Sequence, residues 1–179
     1  MTATQRPVVV LVGPPGVGKT TVGARVAASL GVPLRDTDHD IEQQTGQSVA
    51  DLFVSGGEAA FRALERDAVA RGLREHRGVL TVGGGAVMDA GTRALLHEHR
   101  VVFLDVGLSD AMRRLGVNRT RPLLLGTSGT VRQQWVALFE QRRPWYQEVA
   151  TLTVSTDGRT PEQVAAEVTQ SLLALDSPS

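Results

Sequence analysis

Residues 8–20 read VVVLVGPPGVGKT, an apolar run that passes directly into a stretch rich in glycine and proline. The run at 8–12 is mostly β-branched and ends at a glycine, which is typical of a buried strand in a parallel sheet. Residues 13–20 fit the pattern G-x-x-x-x-G-K-[ST], in which successive backbone N–H groups hold phosphate. The sequence therefore predicts a strand, a phosphate-binding loop (the P-loop, residues 13–20) and then a helix.

Lys19 of the P-loop is the only lysine in a chain with 19 basic residues. An ammonium group on a slim stem enters a ring of N–H groups and acts as a point charge on phosphate oxygens, whereas a planar guanidinium fits there poorly. We expect Lys19 to hold the β- and γ-phosphates of a nucleotide and the Thr20 hydroxyl to bind Mg²⁺. Each of these two features has an alternative explanation. The preference for arginine over lysine would then reflect only genomic base composition, and the loop would be a glycine-rich turn that caps a helix without binding phosphate.

The composition narrows the class of protein. The 179 residues predict one domain, residues 1–179, with a sizeable core. Equal numbers of acidic and basic residues, 19 of each, argue against general attraction to nucleic acid or membranes. The chain has no cysteine, which excludes disulfides and thiolate metal sites, and no apolar run long enough for a membrane span. We expect a soluble cytoplasmic protein and a monomer.

Short apolar runs alternate with helical patterns along the whole chain. Strands are predicted at 8–12, 34–36, 79–82, 101–105 and 152–154, and helices at 20–30, 39–45, 58–77, 90–99, 109–115, 131–149 and 161–175. This alternation predicts an α/β protein of three layers, α/β/α, with a central parallel sheet of about five strands. Residues 116–129 are polar and contain glycines and arginines, so we interpret them as a loop or mobile lid.

The second predicted strand ends in Asp36-Thr37-Asp38. Alternation in an extended segment places Asp36 and Asp38 on the same side, at the edge of the sheet where ligands gather. One carboxylate is a candidate for Mg²⁺, and the other for orienting an acceptor hydroxyl and taking its proton. The alternative is that Asp38 caps the following helix.

Several arginines and glycines are further candidates for a site. Arg62 and Glu65 share a helix face and either form part of a site or are a solvated surface pair. Glu58 lies three residues after Ser55, which indicates a capping box rather than a site. Three consecutive glycines, Gly83, Gly84 and Gly85 (the glycine triplet), follow a strand and allow close approach to the backbone.

Two arginine-bearing stretches lie later in the chain. Arg121 lies in the lid candidate and is either an arginine finger over the transferred phosphoryl group or a bare loop arginine. Arg142 and Arg143 precede Pro144 in a helix and lie on different sides of it, so we expect only one of them to face a site. His39 and His76 are interpreted as solvent-facing or capping residues.

Taken together, these stretches resemble the shikimate kinases, P-loop kinases of the nucleoside-monophosphate-kinase-like branch. The resemblance rests on residues 13–20, on Asp36-Thr37-Asp38, on Phe61-Arg62-x-x-Glu65, on the glycine triplet, on Arg121-Pro122-Leu123-Leu124 and on Arg142-x-Pro144-x-Tyr146. It implies a P-loop NTPase fold and the transfer of a phosphoryl group from ATP, with Mg²⁺, to the 3-hydroxyl of shikimate. The products implied are shikimate 3-phosphate and ADP, in the pathway to chorismate and aromatic amino acids.

The resemblance also implies roles for individual residues. ATP and its phosphates would be bound by Gly13, Pro14, Pro15, Gly16, Val17, Gly18, Lys19, Thr20, Thr21, Arg114, Arg121 and Arg159. Shikimate would be bound, within an acceptor region at about 37–65 and beyond it, by Asp38, Phe53, Phe61, Arg62, Glu65, Gly83, Gly84, Gly85 and Arg142. Thr20 and Asp36 would serve Mg²⁺, and Lys19, Asp38 and Arg121 would be catalytic, with Asp38 as the base.

Two other functions stay open from the residues alone. Gluconate kinase is a related P-loop kinase whose acceptor is also a polyhydroxy acid, although the glycine triplet with Phe61-Arg62 and Arg142-x-Pro144 favours shikimate. A nucleotide-responsive binding module without turnover would lack Lys19, Asp38 or a gripping arginine, and this chain has all of them.

Overall fold

Five parallel strands form one sheet in a computed structural model that describes residues 6–115 and 131–178. The strands are β1 (Val9–Val12), β2 (Leu34–Asp36), β3 (Val79–Thr81), β4 (Val101–Asp105) and β5 (Leu152–Ser155), in the order β2-β3-β1-β4-β5. β1 is central, with Val10 paired to Leu80 on one side and to Val101 on the other. The predicted α/β fold with a five-stranded parallel sheet is confirmed.

Helices flank the sheet on the connections between strands. They are α1 (Lys19–Leu30), α2 (Thr37–Thr45), α3 (Val49–Glu75), α4 (Ala90–Leu96), α5 (Leu108–Leu115), α6 (Val131–Val149) and α7 (Pro161–Asp176), with one 3₁₀ turn at Ala86–Met88. α1 packs against α7, and α3 and α6 both pack against α4. None of the helices in the described part of the chain is long and apolar enough to cross a membrane.

The core is built on β1, whose four residues are fully buried. Apolar side chains from its neighbours, such as Leu80 and Phe103, surround it and are equally buried. Burying each such side chain contributes about 1.5–3 kcal/mol, which makes β1 a rigid base for the loop that follows it. The order of strands also brings the carboxyl ends of β1, β2 and β3 to one edge, where open α/β sheets bind ligands.

The residues after β2 are more helical than predicted. α2 begins at Thr37 rather than at residue 39, because Asp36 caps it. The range of α3 comprises two helical segments, since Gly57 between them has non-helical φ and ψ values of 79° and 173°. The second segment begins at Glu58, as predicted, whereas the first, which Ser48 caps by accepting a hydrogen bond from the Asp51 N–H group, was not predicted. The predicted capping box at Ser55 is wrong, because its hydroxyl bonds Gln47.

Candidate active site

The P-loop leads from β1 into the first turn of α1. Gly16 and Gly18 have φ values of 85° and 91°, a left-handed conformation that glycine adopts without strain. Gly18 is the N-cap of α1 and supplies no capping side chain, so the helix N-terminus presents backbone N–H groups at the loop. Lys19 Nζ lies within the loop and donates to Gly13 O at 2.8 Å and to Pro14 O at 3.2 Å. Such a loop is suited to bind phosphate.

Asp36 joins the P-loop to β3. Its Oδ2 atom accepts hydrogen bonds from the Thr20 hydroxyl at 2.9 Å and from the Thr81 hydroxyl at 2.7 Å. Its Oδ1 atom accepts from the N–H groups of Asp38 and His39, which makes Asp36 the N-cap of α2. The capping role considered for Asp38 therefore belongs to Asp36. The expected alternation within an extended segment is also wrong, because Asp38 lies in the first turn of a helix.

Asp38 is nevertheless close to Asp36, and its carboxyl group lies in a strongly perturbed environment. Burial, together with the neighbouring carboxylates of Asp36 and Glu65, raises its pKa to about 7, although Lys19 lowers it. Its Oδ1 atom is buried and has no hydrogen-bond partner among the residues that the structure describes. A carboxyl group with a pKa near neutrality is suited to accept a proton at physiological pH.

Arg62 and Glu65 form a buried ion pair on α3. Arg62 Nη1 lies 2.7 Å from Glu65 Oε1, and the two side chains are only 14% and 4% exposed. The alternative of a solvated surface pair is therefore wrong. Phe53 and Phe61 pack at 4.6 Å between ring centroids, and the Arg62 guanidinium lies 5.8 and 5.5 Å from them. Burial raises the pKa of Glu65, although Arg62 lowers it.

The glycine triplet follows β3 and passes between the P-loop and α3. A Cβ atom at Gly83 would lie 2.7 Å from Glu65 Oε2, and one at Gly85 would lie 2.3 Å from Arg62 Nη1. A Cβ atom at Gly84 would lie 2.9 Å from the Pro15 ring. A side chain at any of the three positions would thus force the neighbouring groups to shift. This close packing also brings the P-loop into contact with the opposite half of the site.

Arg142 on α6 is buried, with an exposed fraction of 1%. Its Nε and Nη1 atoms have no hydrogen-bond partner in the described part of the chain, and its charge lowers the pKa of Glu65. Arg143 lies on the other side of the helix, where Nη2 is 2.9 Å from Asp105 Oδ2. A buried guanidinium with unused donors is costly in a protein and indicates a binding site for an anion.

Tyr146 holds α6 against the glycine triplet. Its hydroxyl donates a hydrogen bond to Gly84 O, and its ring stacks on Phe103 of β4 at 5.1 Å. Burial raises the pKa of this hydroxyl to about 12, so it remains a donor across the physiological range. The helix that carries Arg142 is thereby fixed relative to the loop after β3.

Two arginines were predicted to bind the nucleotide. Arg114 Nη1 donates to Val17 O at 2.9 Å, and its Nη2 donates to Thr156 O at 3.1 Å. Arg159 donates to Ser155 O at 2.9 Å and pairs with Glu167. Thr21 is exposed on α1. Arg114 therefore contacts the P-loop directly, whereas Arg159 contacts the end of β5.

Two functional positions were missed from the sequence, and one predicted position lies outside the described residues. The hydroxyl of Thr81 and the indole of Trp135, which reach Asp36 and the P-loop, carried no sequence signal. The interpretation of the two histidines is confirmed: His76 is the C-cap of α3, with its buried Nε2 3.0 Å from Val79 O, and His39 is exposed. Arg121 and the predicted lid at 116–129 lie outside the described residues.

Comparison with known proteins adds independent information. The family model "Shikimate kinase" matches residues 15–173. A shikimate kinase of Streptomyces coelicolor is 54% identical over 158 residues, which cover 88% of this chain and 91% of that protein. The structure of shikimate kinase from Acinetobacter baumannii in complex with shikimate has a TM-score of 0.90 and 33% identity, and covers 98% of this chain and 97% of that one.

A more distant structure bears on the alternative acceptor. A gluconokinase from Sinorhizobium meliloti has a TM-score of 0.55 and 18% identity, and covers 97% of this chain and 95% of that one. At this level of identity the similarity concerns the fold alone.

Proposed function

This chain belongs to the shikimate kinase family, and from that premise we propose how its residues carry out the phosphorylation of shikimate. It is an ATP-dependent kinase that acts on a hydroxyl group of shikimate. We assign the 3-hydroxyl as the acceptor, with shikimate 3-phosphate and ADP as products. The observation that carries the assignment of residues is a set of buried polar atoms, Asp38 Oδ1 and two nitrogens of Arg142, that have no hydrogen-bond partner within residues 6–115 and 131–178.

The acceptor acid is held by two guanidinium groups. Arg142 offers unused N–H donors in a buried position, and Arg62 is held in place by Glu65 at 2.7 Å. A guanidinium fork matches the geometry of a carboxylate, so the pair forms a clamp for the shikimate carboxylate. Phe53 and Phe61 supply the apolar wall beside Arg62.

Asp38 orients the acceptor hydroxyl and takes its proton. The attacking oxygen forms a bond to the γ-phosphorus of ATP, the bond from that phosphorus to the bridging oxygen breaks, and ADP leaves with the bonding pair. The hydroxyl proton passes to the Asp38 carboxylate, whose raised pKa suits it as an acceptor near neutral pH. Proximity of the two substrates supplies much of the rate, since phosphoryl transfer needs positioning more than covalent chemistry.

The P-loop holds the donor. Its backbone N–H groups and the N-terminus of α1 surround the phosphates, and Lys19 supplies the positive charge. Arg114 and Arg159 serve the nucleotide-base side, and Arg121 is proposed as the residue that closes over the transferred group. These roles rest on the resemblance and on the positions of Arg114 and Arg159 next to the P-loop and β5.

Thr20 and Asp36 would hold Mg²⁺. Their side-chain oxygens are 2.9 Å apart at the edge of the P-loop, and hydroxyl and carboxylate oxygens are the ligands that this ion prefers. Among residues 6–115 and 131–178, no three acidic or histidine side chains are arranged so that they could hold a metal ion by themselves. This fits an ion that is bound by one or two protein oxygens together with substrate phosphates. When bound, Mg²⁺ would neutralise phosphate charge.

A kinase assay with two acceptors tests the proposed function. Purified protein is given ATP and Mg²⁺ with shikimate or with gluconate, and ADP formation is followed in a coupled assay. We expect turnover with shikimate and none above background with gluconate. Turnover with gluconate alone would contradict the acceptor, and tight binding of shikimate and ATP without ADP formation would support the binding module instead.

A further inference from the structure

Trp135 contacts the P-loop from α6, 120 residues away in the chain. Its indole N–H group donates a hydrogen bond to Pro15 O at 3.2 Å, and the side chain is only 2% exposed. The ring packs on Phe139 with 4.8 Å between centroids, and Phe139 in turn packs on Tyr146 at 6.4 Å. The indole is therefore held in one orientation by its neighbours on α6.

The acceptor of this hydrogen bond belongs to an unusual part of the loop. Pro14 and Pro15 have no N–H group, so the first donor after Gly13 that this loop offers to phosphate is the N–H group of Gly16. The Pro15–Gly16 peptide is trans, because no cis peptide is found in the described residues. In a planar trans peptide the C=O and N–H bonds point in opposite directions. A bond that fixes the Pro15 carbonyl therefore also fixes the direction of the Gly16 N–H group.

Two further contacts surround the same peptide. The Pro15 ring lies against Gly84, and Tyr146 on α6 donates to the Gly84 carbonyl. Pro15, Trp135 and Arg142 also line one narrow crevice. α6 thus contacts the P-loop through Trp135 and the glycine triplet through Tyr146, while Arg142 lies between them in sequence.

We propose that Trp135 is a positioning residue for the phosphate donor, whose indole N–H group orients the Pro15–Gly16 peptide so that the Gly16 N–H group faces the nucleotide phosphates. This rests on the proposed binding of ATP at the P-loop. Inside the loop, the Pro15–Gly16 peptide is restrained by the hydrogen bond from the Val17 N–H group to Pro14 O, which is long at 3.3 Å, and the glycine at position 16, with a φ of 85°, has no side chain to restrain it. The indole bond is the contact from outside the loop that fixes the same peptide. Loss of the indole bond lets this peptide rotate and weakens one hydrogen bond to phosphate.

The test removes the N–H group while keeping the ring. In Trp135→Phe we expect the KM for ATP and the Kd for ADP to rise about three- to tenfold, as for one lost hydrogen bond. The KM for shikimate is expected to change less than about twofold on the same basis. Trp145→Phe is the matched control, because this second indole lies on α6 over Arg93, away from the P-loop.

An isosteric replacement separates the hydrogen bond from packing. In a Trp145→Phe background, Trp135 is replaced by benzothienylalanine, in which sulfur stands in place of the N–H group. A rise in the Kd for ADP with an unchanged melting temperature supports the proposal. An unchanged Kd, or an equal loss of affinity for ADP and shikimate, overturns it. Because ADP binding is measured directly, this result is independent of whether shikimate is the acceptor.

Discussion

The carboxylates of Asp38 and Glu65 lie against the same glycine: a Cβ atom at Gly83 would be 3.0 Å from Asp38 Oδ1 and 2.7 Å from Glu65 Oε2. The negative charge of Glu65 is one of the causes that raise the pKa of Asp38 to about 7, together with burial and Asp36. Glu65 is itself paired with Arg62. Because Gly83 has no side chain, the proposed base Asp38 and the carboxylate of Glu65, which holds Arg62, can both lie against it.

The raised pKa of Asp38 predicts the pH dependence of the reaction. Only the ionised carboxylate accepts a proton, so kcat/KM for shikimate should rise with pH up to about 7 and then level off. Asp38→Asn should abolish turnover at every pH and leave ADP binding within about threefold of the original. A pH–rate profile and calorimetry with ADP measure both. Near-normal turnover of the variant would exclude Asp38 as an essential base.

The raised pKa of Asp38 also predicts that the folded protein becomes more stable when the charge of this side chain is removed. A carboxyl group whose pKa is higher in the folded state binds more protons there, so stability falls as the pH rises from about 4 to about 7. Asp38→Asn should therefore raise Tm by about 2–6 °C at pH 8 and by less at pH 5. Thermal unfolding at both pH values measures this. An equal increase in Tm at both pH values would show that loss of the buried charge is not the cause of the increase.

Arg142 and Arg143 form a matched pair for testing the carboxylate clamp. Arg142→Met should raise the KM for shikimate by about 30-fold or more, since it removes charged hydrogen bonds, and should change the KM for ATP by less than about threefold. Tm should not fall, because a buried guanidinium with unpaired nitrogens is lost. Arg143→Met, which loses an exposed pair with Asp105, is the control. Equal effects on both substrates would contradict the clamp.

Gly85 tests whether close packing positions Arg62. A Cβ atom there would lie 2.3 Å from Arg62 Nη1, so Gly85→Ala should displace the guanidinium and raise the KM for shikimate by about tenfold. The backbone of Gly85 has a φ of −95°, which alanine adopts freely, so strain is not the cause. Gly91→Ala, in the first turn of α4, is the control and should behave like the original protein in steady-state kinetics. An unchanged KM in Gly85→Ala would show that Arg62 tolerates the methyl group.

Lys19→Arg should be severely impaired although charge is conserved. Lys19 Nζ lies 2.8 Å from Gly13 O and 3.2 Å from Pro14 O, inside a loop that a planar guanidinium does not fit. We expect kcat/KM for ATP to fall at least about a hundredfold. Arg25→Lys is the control: it replaces arginine by lysine in an exposed ion pair on α1 and should have little effect on kcat/KM. Substantial activity in Lys19→Arg would leave the single lysine as an accident of composition.

Much of this architecture was predictable because its signals are local. The β-branched run before Gly13, the glycines of the P-loop and Lys19 lie within a few residues of one another, and each limits the backbone or supplies a donor by itself. The same holds for the alternation of strands with helices, which predicted the sheet of five parallel strands. The ordered set of motifs was enough to indicate the family that the comparisons then showed.

Where local signals competed, the sequence alone misled. Asp36 and Asp38 both precede the helix that was predicted from residue 39, and the pattern did not decide which one caps it. In the structure Asp36 takes that role because Thr20 and Thr81, from two other elements, also hold its carboxylate. Ser55 and Glu58 indicated a capping box, but the Ser55 hydroxyl bonds Gln47, and the helical segment before Gly57, which Ser48 caps, was not predicted.

By itself the sequence determined the P-loop, the positions of the strands and the candidate side chains, since these depend on neighbours within one turn or strand. Only the tertiary structure decided what each candidate faces. The contact of Trp135 with Pro15, the burial of Arg142 and the approach of Gly83 to Asp38 join residues far apart in the chain. Such contacts depend on how α3 and α6 pack around the sheet, which no local pattern encodes.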